Sequence, residues 1–255
     1  MTTNQLVPHH AYEYLPLVYD AAGFSTYATQ HTPRLLEYLH ESGWIGRQVL
    51  DFGCGTGASS ATFADLRMAV TGVDSSVGMI AKANARFQGS AFDIRFERAD
   101  IRTYAGLENV YDLVYCLDTL NYLSAVKDLE LVFQRAYVVL QEGKTLLFDI
   151  QTVEGLATYP LEQVLHRSNS VFVTSTNFFD YESLSLQQHI TFFAQRQDGW
   201  FERFEETHVL RAYPVRGLLT ILKRCGFEAE YIMNLDFTPY EGKGDRVVVV
   251  AHKTA

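Results

Sequence analysis

The stretch "VLDFGCGTG", Val49 to Gly57, sets glycines at 53, 55 and 57 directly behind an apolar run, with an acid, Asp51, at the head of the loop. Glycines there let the backbone approach a ligand closely where a strand gives way to a helix, the geometry of a nucleotide-type site. Read as G-x-G-x-x-G/A, "GCGTGA" also satisfies the dinucleotide fingerprint, and Asp74 stands at about the spacing of a ribose-binding acid. The glycines alone leave both kinds of ligand open. Asp51 weighs between them: a carboxylate at the loop mouth repels a pyrophosphate but attracts the ammonium and sulfonium of S-adenosylmethionine, which carries no phosphate. A P-loop is excluded because no Gly-Lys-Ser/Thr follows.

Acids recur wherever an apolar run ends, at Asp74, Asp100, Asp118 and Asp149. In an open parallel sheet the carboxyl ends of the strands face one crevice, so these side chains are expected to converge there. Asp74, with Ser75 beside it, is expected to take the ribose hydroxyls. Asp100 is expected to accept from an adenine amino group next to the Ile101 backbone, with Met79 packing on the ring and Leu117 beside the adenosine.

The elements that must hold these residues follow from periodicity. "QVLDF", "AVTGVD", "FDIRFERAD", "VYDLVYCLD" and "KTLLFDI" read as five strands alternating with helical segments, the pattern of βα units. Val126, Leu129, Phe133, Ala136 and Leu140 recur at helical spacing between Ser124 and Leu140. Upstream, residues 12–43 look helical, with Thr32 able to cap a helix that begins at Pro33 and Gly43 able to end it. After Ile150 the period changes to that of strands. "VFVTSTNFFDY", "LSLQQHITFFAQ" and "WFERFEETHVLRAY" form a three-stranded antiparallel meander, whose aromatics Phe172, Phe178, Phe179, Phe192, Phe193, Trp200, Phe201 and Phe204 supply an apolar lid over the crevice or a core of their own. Helical pattern returns at Val215 to Cys225, and "EAEYIMNL" and "RVVVVAH" close the fold.

Composition narrows the partners. A net charge of −9 with no basic run argues against nucleic acid, and no apolar run approaches the roughly 20 residues of a membrane helix. The N-terminal "MTTNQLVPHHAYEYLP" shows no secretory pattern, and Cys54, Cys116 and Cys225 form no C-x-x-C pair, so reduced thiols and a cytoplasmic setting are expected. The pair His9–His10 reads as solvated, with no third ligand spaced to make a metal site.

The motifs "VLDFGCGTG", "TGVDSSVGMI", "RADI", "YDLVYCLDTLNYL" and "LQEGKTLLFDI" together resemble those of the class I S-adenosylmethionine-dependent methyltransferases. More narrowly, Tyr12 through Tyr19-Asp20, Cys116 to Tyr122, and Glu206, His208, Arg211 and Tyr213 resemble a bacterial subgroup that acts on small molecules, similar in layout to glycine and amino-sugar N-methyltransferases. "LDTLN" stands where amino-methylating nucleic-acid enzymes carry N/D-P-P-Y/F, so that likeness is poor. The resemblance implies an α/β fold with a Rossmann-like doubly wound sheet of seven strands, the last antiparallel. A helical N-terminal cap (1–46), a core (47–155), a β insertion serving as substrate lid (156–213) and the remainder of the core (214–255) would make up the chain.

Its implied activity is methyl transfer from S-adenosyl-L-methionine to N or O of a small acceptor by a monomer or homodimer, with no nucleic acid or membrane partner. A non-catalytic adenosylmethionine-binding protein is the alternative, an NAD-dependent oxidoreductase the more distant one. Acceptor-side candidates are Asp118, Asn121 and Tyr122 after the fourth strand, with Tyr19 and Tyr27 of the cap closing the pocket. Arg211 is a candidate anchor for a carboxylate or phosphate and His208 a candidate base. Three residues apart on a strand, they are expected to face opposite ways.

Overall fold

Strands buried on both faces read as unbroken apolar runs, and such strands pair in parallel beneath two layers of helices. Gln48–Phe52, Ala69–Asp74 and Tyr111–Cys116 have that character, and in the computed structural model, which describes residues 9–254, they form the centre of a seven-stranded sheet.

In chain order the strands are β1 (His9–His10), β2 (Gln48–Phe52), β3 (Ala69–Asp74), β4 (Ile94–Arg98), β5 (Tyr111–Cys116), β6 (Leu140–Gln151), β7 (Glu162–Arg167), β8 (Val171–Asp180), β9 (Ser185–Gln195), β10 (Phe201–Arg211), β11 (Phe227–Asn234) and β12 (Arg246–Lys253). The helices are α1 (Thr26–Glu41), α2 (Ala58–Asp65), α3 (Val77–Arg86), α4 (Val126–Val139), α5 (Val153–Ala157) and α6 (Val215–Arg224).

The large sheet runs β11-β12-β6-β5-β2-β3-β4, parallel except for β12, which is antiparallel to both neighbours. From β2 the chain winds outward through β3 and β4, then returns to start again at β5 on the other side. The order therefore reverses between β2 and β5, and a crevice opens beyond their carboxyl ends. One face buries Leu50, Phe52 and Val73 with Phe133 and Leu222, and the other buries Val49, Val70 and Tyr115 with Leu35, Leu36 and Phe63.

Helix α1 departs from expectation. It begins at Thr26, placing Pro33 inside it, and Thr32 is not a cap: its hydroxyl donates to Ser59 at 3.0 Å and accepts from Tyr115 at 3.0 Å. An interior proline costs roughly 3 kcal/mol. Burial of Leu35, Leu36 and Leu39, each worth about 1.5–3 kcal/mol, offsets it. Residues 15–17 make one 3-10 turn rather than a long helix.

The second sheet, β1-β10-β9-β8-β7, adds two strands to the expected three. β7 is an edge strand with a bulge between Val164 and His166 and no clean alternation, and β1 pairs parallel to β10 through two residues only. The side chains of His9 and His10 lie outside the described residues. The inner face of this sheet buries Val173, Ile190, Phe192, Glu206 and His208 against the N-terminal arm, residues 11–25, through Leu15, Val18 and Ala22. Phe178 and Val209 stay exposed on the outer face. Among the described residues no helix is long and apolar enough to cross a membrane.

Asn121 joins the two sheets. Its amide donates to the carbonyls of Gln151 at 3.0 Å and Arg211 at 2.8 Å, and its oxygen accepts from the Gln151 N–H at 2.8 Å, all with the side chain buried. Asn121→Ala strands those buried backbone groups and is expected to lower stability by about 2–4 kcal/mol, read as a drop in the urea midpoint at unchanged slope.

Candidate active site

The loop after β2 turns through left-handed glycines, φ +74° at Gly53 and +54° at Gly55. A side chain at Gly53 would collide with Thr119, whereas the space beside Gly55 is open. Facing the loop is a cavity of about 380 Å³ at the crevice between β2 and β5, within the range of small-molecule sites. Gly53, Gly55, Asp51, Asp74, Ser75, Met79, Asp100, Ile101 and Leu117 line one part of it, and Tyr12, Tyr19, Tyr27, Asp118 and Tyr122 another. Gly57 lies just behind the wall, at the head of α2.

Asp74 is held by the N–H groups of Gly55 at 3.0 Å and Ser76 at 2.8 Å, yet burial still raises its carboxyl. Asp51 is 2% exposed, and burial pushes its carboxyl up to about 7 against the pull of a 2.6 Å hydrogen bond from Ser60. Asp100 is gripped by the Arg102 guanidinium, which holds it below the usual carboxylate range. Arg102 also reaches Asp128 at 3.1 Å. The wall thus carries four carboxylates and one guanidinium, itself engaged by two acids.

Asp118 adopts φ +51° and is fixed from below. Its N–H donates to Asp149 at 2.7 Å, and Arg246 bridges Asp118 at 2.7 Å and Asp149. Tyr27 donates to Asp149 at 2.6 Å while the Arg246 guanidinium lies 4.2 Å from the Tyr27 ring centroid. Tyr27 therefore spends its hydroxyl on this network. Arg246 escaped the sequence reading; its one signal is a lone cation heading the buried strand "RVVVV".

Three expectations need correction. Asn121 does not face the cavity, since both ends of its amide clamp backbone. Arg211 does not line it either: it faces away from His208, as strand alternation requires, and donates to the Ser124 carbonyl at 2.6 Å. The β insertion contributes no lining residue, so none of its aromatics forms a lid over the cavity. Phe192 and Phe204 instead stack on one another and support the arm through Tyr14. The cover is the arm itself, which is tied to the glycine loop and α3 where Asp20 accepts from Thr56 at 2.7 Å and Arg86 at 2.8 Å. His208 stands one residue back from the wall, its Nδ1 3.0 Å from the Tyr122 hydroxyl.

Comparison with known proteins decides the family. Residues 49–143 match the model of a methyltransferase domain. The chain is 30% identical over 247 residues, 95% of its length and 97% of the relative's, to YqeM of Bacillus subtilis (strain 168), a methyltransferase by name. The protein belongs to the class I S-adenosylmethionine-dependent methyltransferases. Its fold is shared by an S-adenosylmethionine-dependent methyltransferase from Clostridium acetobutylicum ATCC 824 (TM-score 0.80, 22% identity, 95% of this chain and 96% of that one). It is shared also by SAM-bound CalS10, an amino pentose methyltransferase from Micromonospora echinaspora (TM-score 0.71, 21% identity, 93% and 97%).

The cofactor of this methyltransferase is S-adenosyl-L-methionine, and the site fits it: open space beside Gly55, buried acids on the wall and, among the described residues, no unpaired lining cation suit a cationic ligand without phosphate. Asp51 makes that fit depend on pH. Its raised value means the empty protein holds a proton below about pH 7 that a bound cation displaces. Affinity for the cofactor should therefore rise with pH from 6 to 8. Calorimetry in buffers of different ionisation enthalpy should show proton release near pH 6 that vanishes at pH 8.5 and in Asp51→Asn.

Proposed function

We propose that this methyltransferase acts on N or O of a small acceptor that is neutral or cationic, an amine above all, in a cytoplasmic setting. The observation that carries this reading is charge. On the acceptor side the wall offers the Asp118 carboxylate, 40% exposed, and the hydroxyls of Tyr12, Tyr19 and Tyr122, with no unpaired cation among the described residues to receive a carboxylate or phosphate. A like charge facing an anionic acceptor would cost binding. The amino pentose activity named for CalS10 is in keeping with this. A cavity of about 380 Å³ and a chain of net charge −9 disfavour nucleic acid. Free thiols at Cys54, Cys116 and Cys225 favour a reducing compartment.

When bound, the cofactor supplies a methyl group on a sulfonium, an excellent leaving group. The chain's task is then alignment and exclusion of water. Asp74 with Ser75 would hold the ribose hydroxyls. Gly53, Gly55, Gly57 and Asp51 would border the amino-acid end, and Asp100, Ile101, Met79 and Leu117 the adenine. Tyr19 and Tyr27 close the cavity from the arm and α1, and burial keeps both phenols protonated. Asp118, immobilised by Arg246, orients the acceptor's cationic group. The protein works as a monomer or homodimer with its second sheet supporting the arm.

The test pairs an acceptor panel with one variant. Methyl transfer to amines and amino sugars is expected, against none to matched carboxylates and phosphates. Asp118→Asn should cut kcat/KM for amines by about 10- to 100-fold, the scale of one lost charge contact, and leave neutral alcohols within about threefold. Preferential methylation of carboxylates overturns the reading.

A further inference from the structure

We infer that Tyr122 is the cavity terminus of a proton relay, Tyr122 to His208 to Glu206, which takes the proton from the acceptor's nucleophilic group and is complete only while the N-terminal arm is docked. The inference rests on the reading of the acceptor as a protonated amine or a hydroxyl. It begins with the tautomer of His208. Nε2 stands 3.0 Å from a Glu206 oxygen, and a carboxylate can only accept, so Nε2 carries the ring proton. In the neutral ring Nδ1 is then a lone pair, and Tyr122, 3.0 Å away, donates to it. All hydrogen-bond directions therefore run inward from the cavity to the carboxylate.

Burial argues for more than a scaffold. His208 is 1% exposed and Glu206 equally so, and an ion-capable pair at that depth is costly when apolar residues would pack as well. Glu206 remains ionised: burial alone would raise it, yet hydrogen bonds from His208 and from the Leu15 and Tyr14 N–H groups bring it below its ordinary value. Tyr122 meets the cavity directly, one turn beyond Asp118.

The arm enters through the same carboxylate. Glu206 accepts from the backbone N–H of Tyr12 at 2.8 Å, of Leu15 at 2.7 Å and of Tyr14. Tyr12, at φ +63°, also has its carbonyl held by Ser76 at 3.0 Å. Its ring covers the relay, with centroids 4.9 Å from His208 and 5.2 Å from Tyr122. The groups facing His208 are thus Glu206 from its own strand, Tyr122 from the turn after β5 and Tyr12 from the arm, with the Asp118 charge felt at Tyr122. Lifting the arm removes three donors from Glu206 and lets water onto His208.

The step balances. An N–H bond of the acceptor ammonium breaks and its electron pair stays on nitrogen as the nucleophile. The proton passes to the Tyr122 oxygen as the Tyr122 hydroxyl proton moves to His208 Nδ1. Tyr122 ends neutral, and the positive charge now lies on an imidazolium against the Glu206 carboxylate. Tyr122 is the catalytic residue; His208 and Glu206 are positioning residues.

Three measurements test this. In histidine-labelled protein, nitrogen NMR of His208, assigned by its loss in His208→Gln, should show a neutral ring with Nε2–H and Nδ1 as acceptor; an Nδ1–H tautomer overturns the relay. With an amine that the wild type methylates, Tyr122→Phe should lose about 100-fold in kcat below the acceptor's own pKa and recover to within a few-fold above it, where the amine arrives unprotonated. An equal loss at every pH would mean a purely structural role. Hydrogen exchange of residues 11–18 should quicken in Glu206→Gln and stay unchanged in Tyr122→Phe; an arm that remains protected without Glu206 overturns the shared latch. Should no amine or alcohol be methylated, the acceptor reading fails, while the tautomer and exchange results still decide the relay and the latch.

Discussion

A parallel sheet whose strand order reverses must leave a gap where neighbouring loops diverge, and here that gap lies between β2 and β5. Everything chemical in the protein answers to it. The glycines after β2 bring backbone to its edge, the acids at the ends of β2, β3 and β4 line it, and the left-handed residue Asp118 after β5 adds its carboxylate. Because the gap is a product of winding, the fold supplies the cavity before any side chain is chosen. The side chains then set its sign. Four carboxylates against one guanidinium that two acids already engage leave an acidic wall, suited to a cationic ligand.

That wall rests on two buried networks of different character. Beneath Asp118, Arg246 and Asp149 form an ion pair closed by the Tyr27 hydroxyl, so a charge at the cavity wall is anchored in the core of the large sheet. Beneath Tyr122, Glu206 gathers donors from the N-terminal arm and from His208 of its own strand. The first network is built within the Rossmann-like core and α1. The second exists only because the antiparallel sheet is present, which gives that sheet a purpose although it touches no part of the cavity.

Much of this was legible from residue order alone where the determinants are local. The glycine loop, Asp51 and Asp74 occupy one strand, one turn and the next strand, and the spacing of "VLDFGCGTG" to "TGVD" carries their geometry. The helices around Phe133 and Leu218 follow from periodicity in the same way. What escaped depends on long-range partners. Arg246 lies 128 residues from Asp118, and Asn121 looks like a site residue until Gln151 and Arg211 are seen to claim both ends of its amide. Pro33 reads as a helix start because propensity speaks only for the isolated helix, whereas Leu35, Leu36 and Leu39 are buried by the sheet and carry the helix through it. β7 has no clean alternation to detect because an edge strand need not bury one face. The aromatics of the insertion read equally as a lid or as a core of their own, because no pattern within them reveals that the arm lies between them and the cavity.

Among the described residues, every one that lines the cavity falls between Ala11 and Ser124. The chain beyond that point holds the arm and the acidic wall in position without meeting the ligands. Recognition and support are therefore encoded in different halves of the polypeptide. The second sheet grips the arm through Glu206 and its apolar inner face, so in the proposed relay its substitutions reach the chemistry through the arm's seating, while the side chains that meet the cavity are written in the first half.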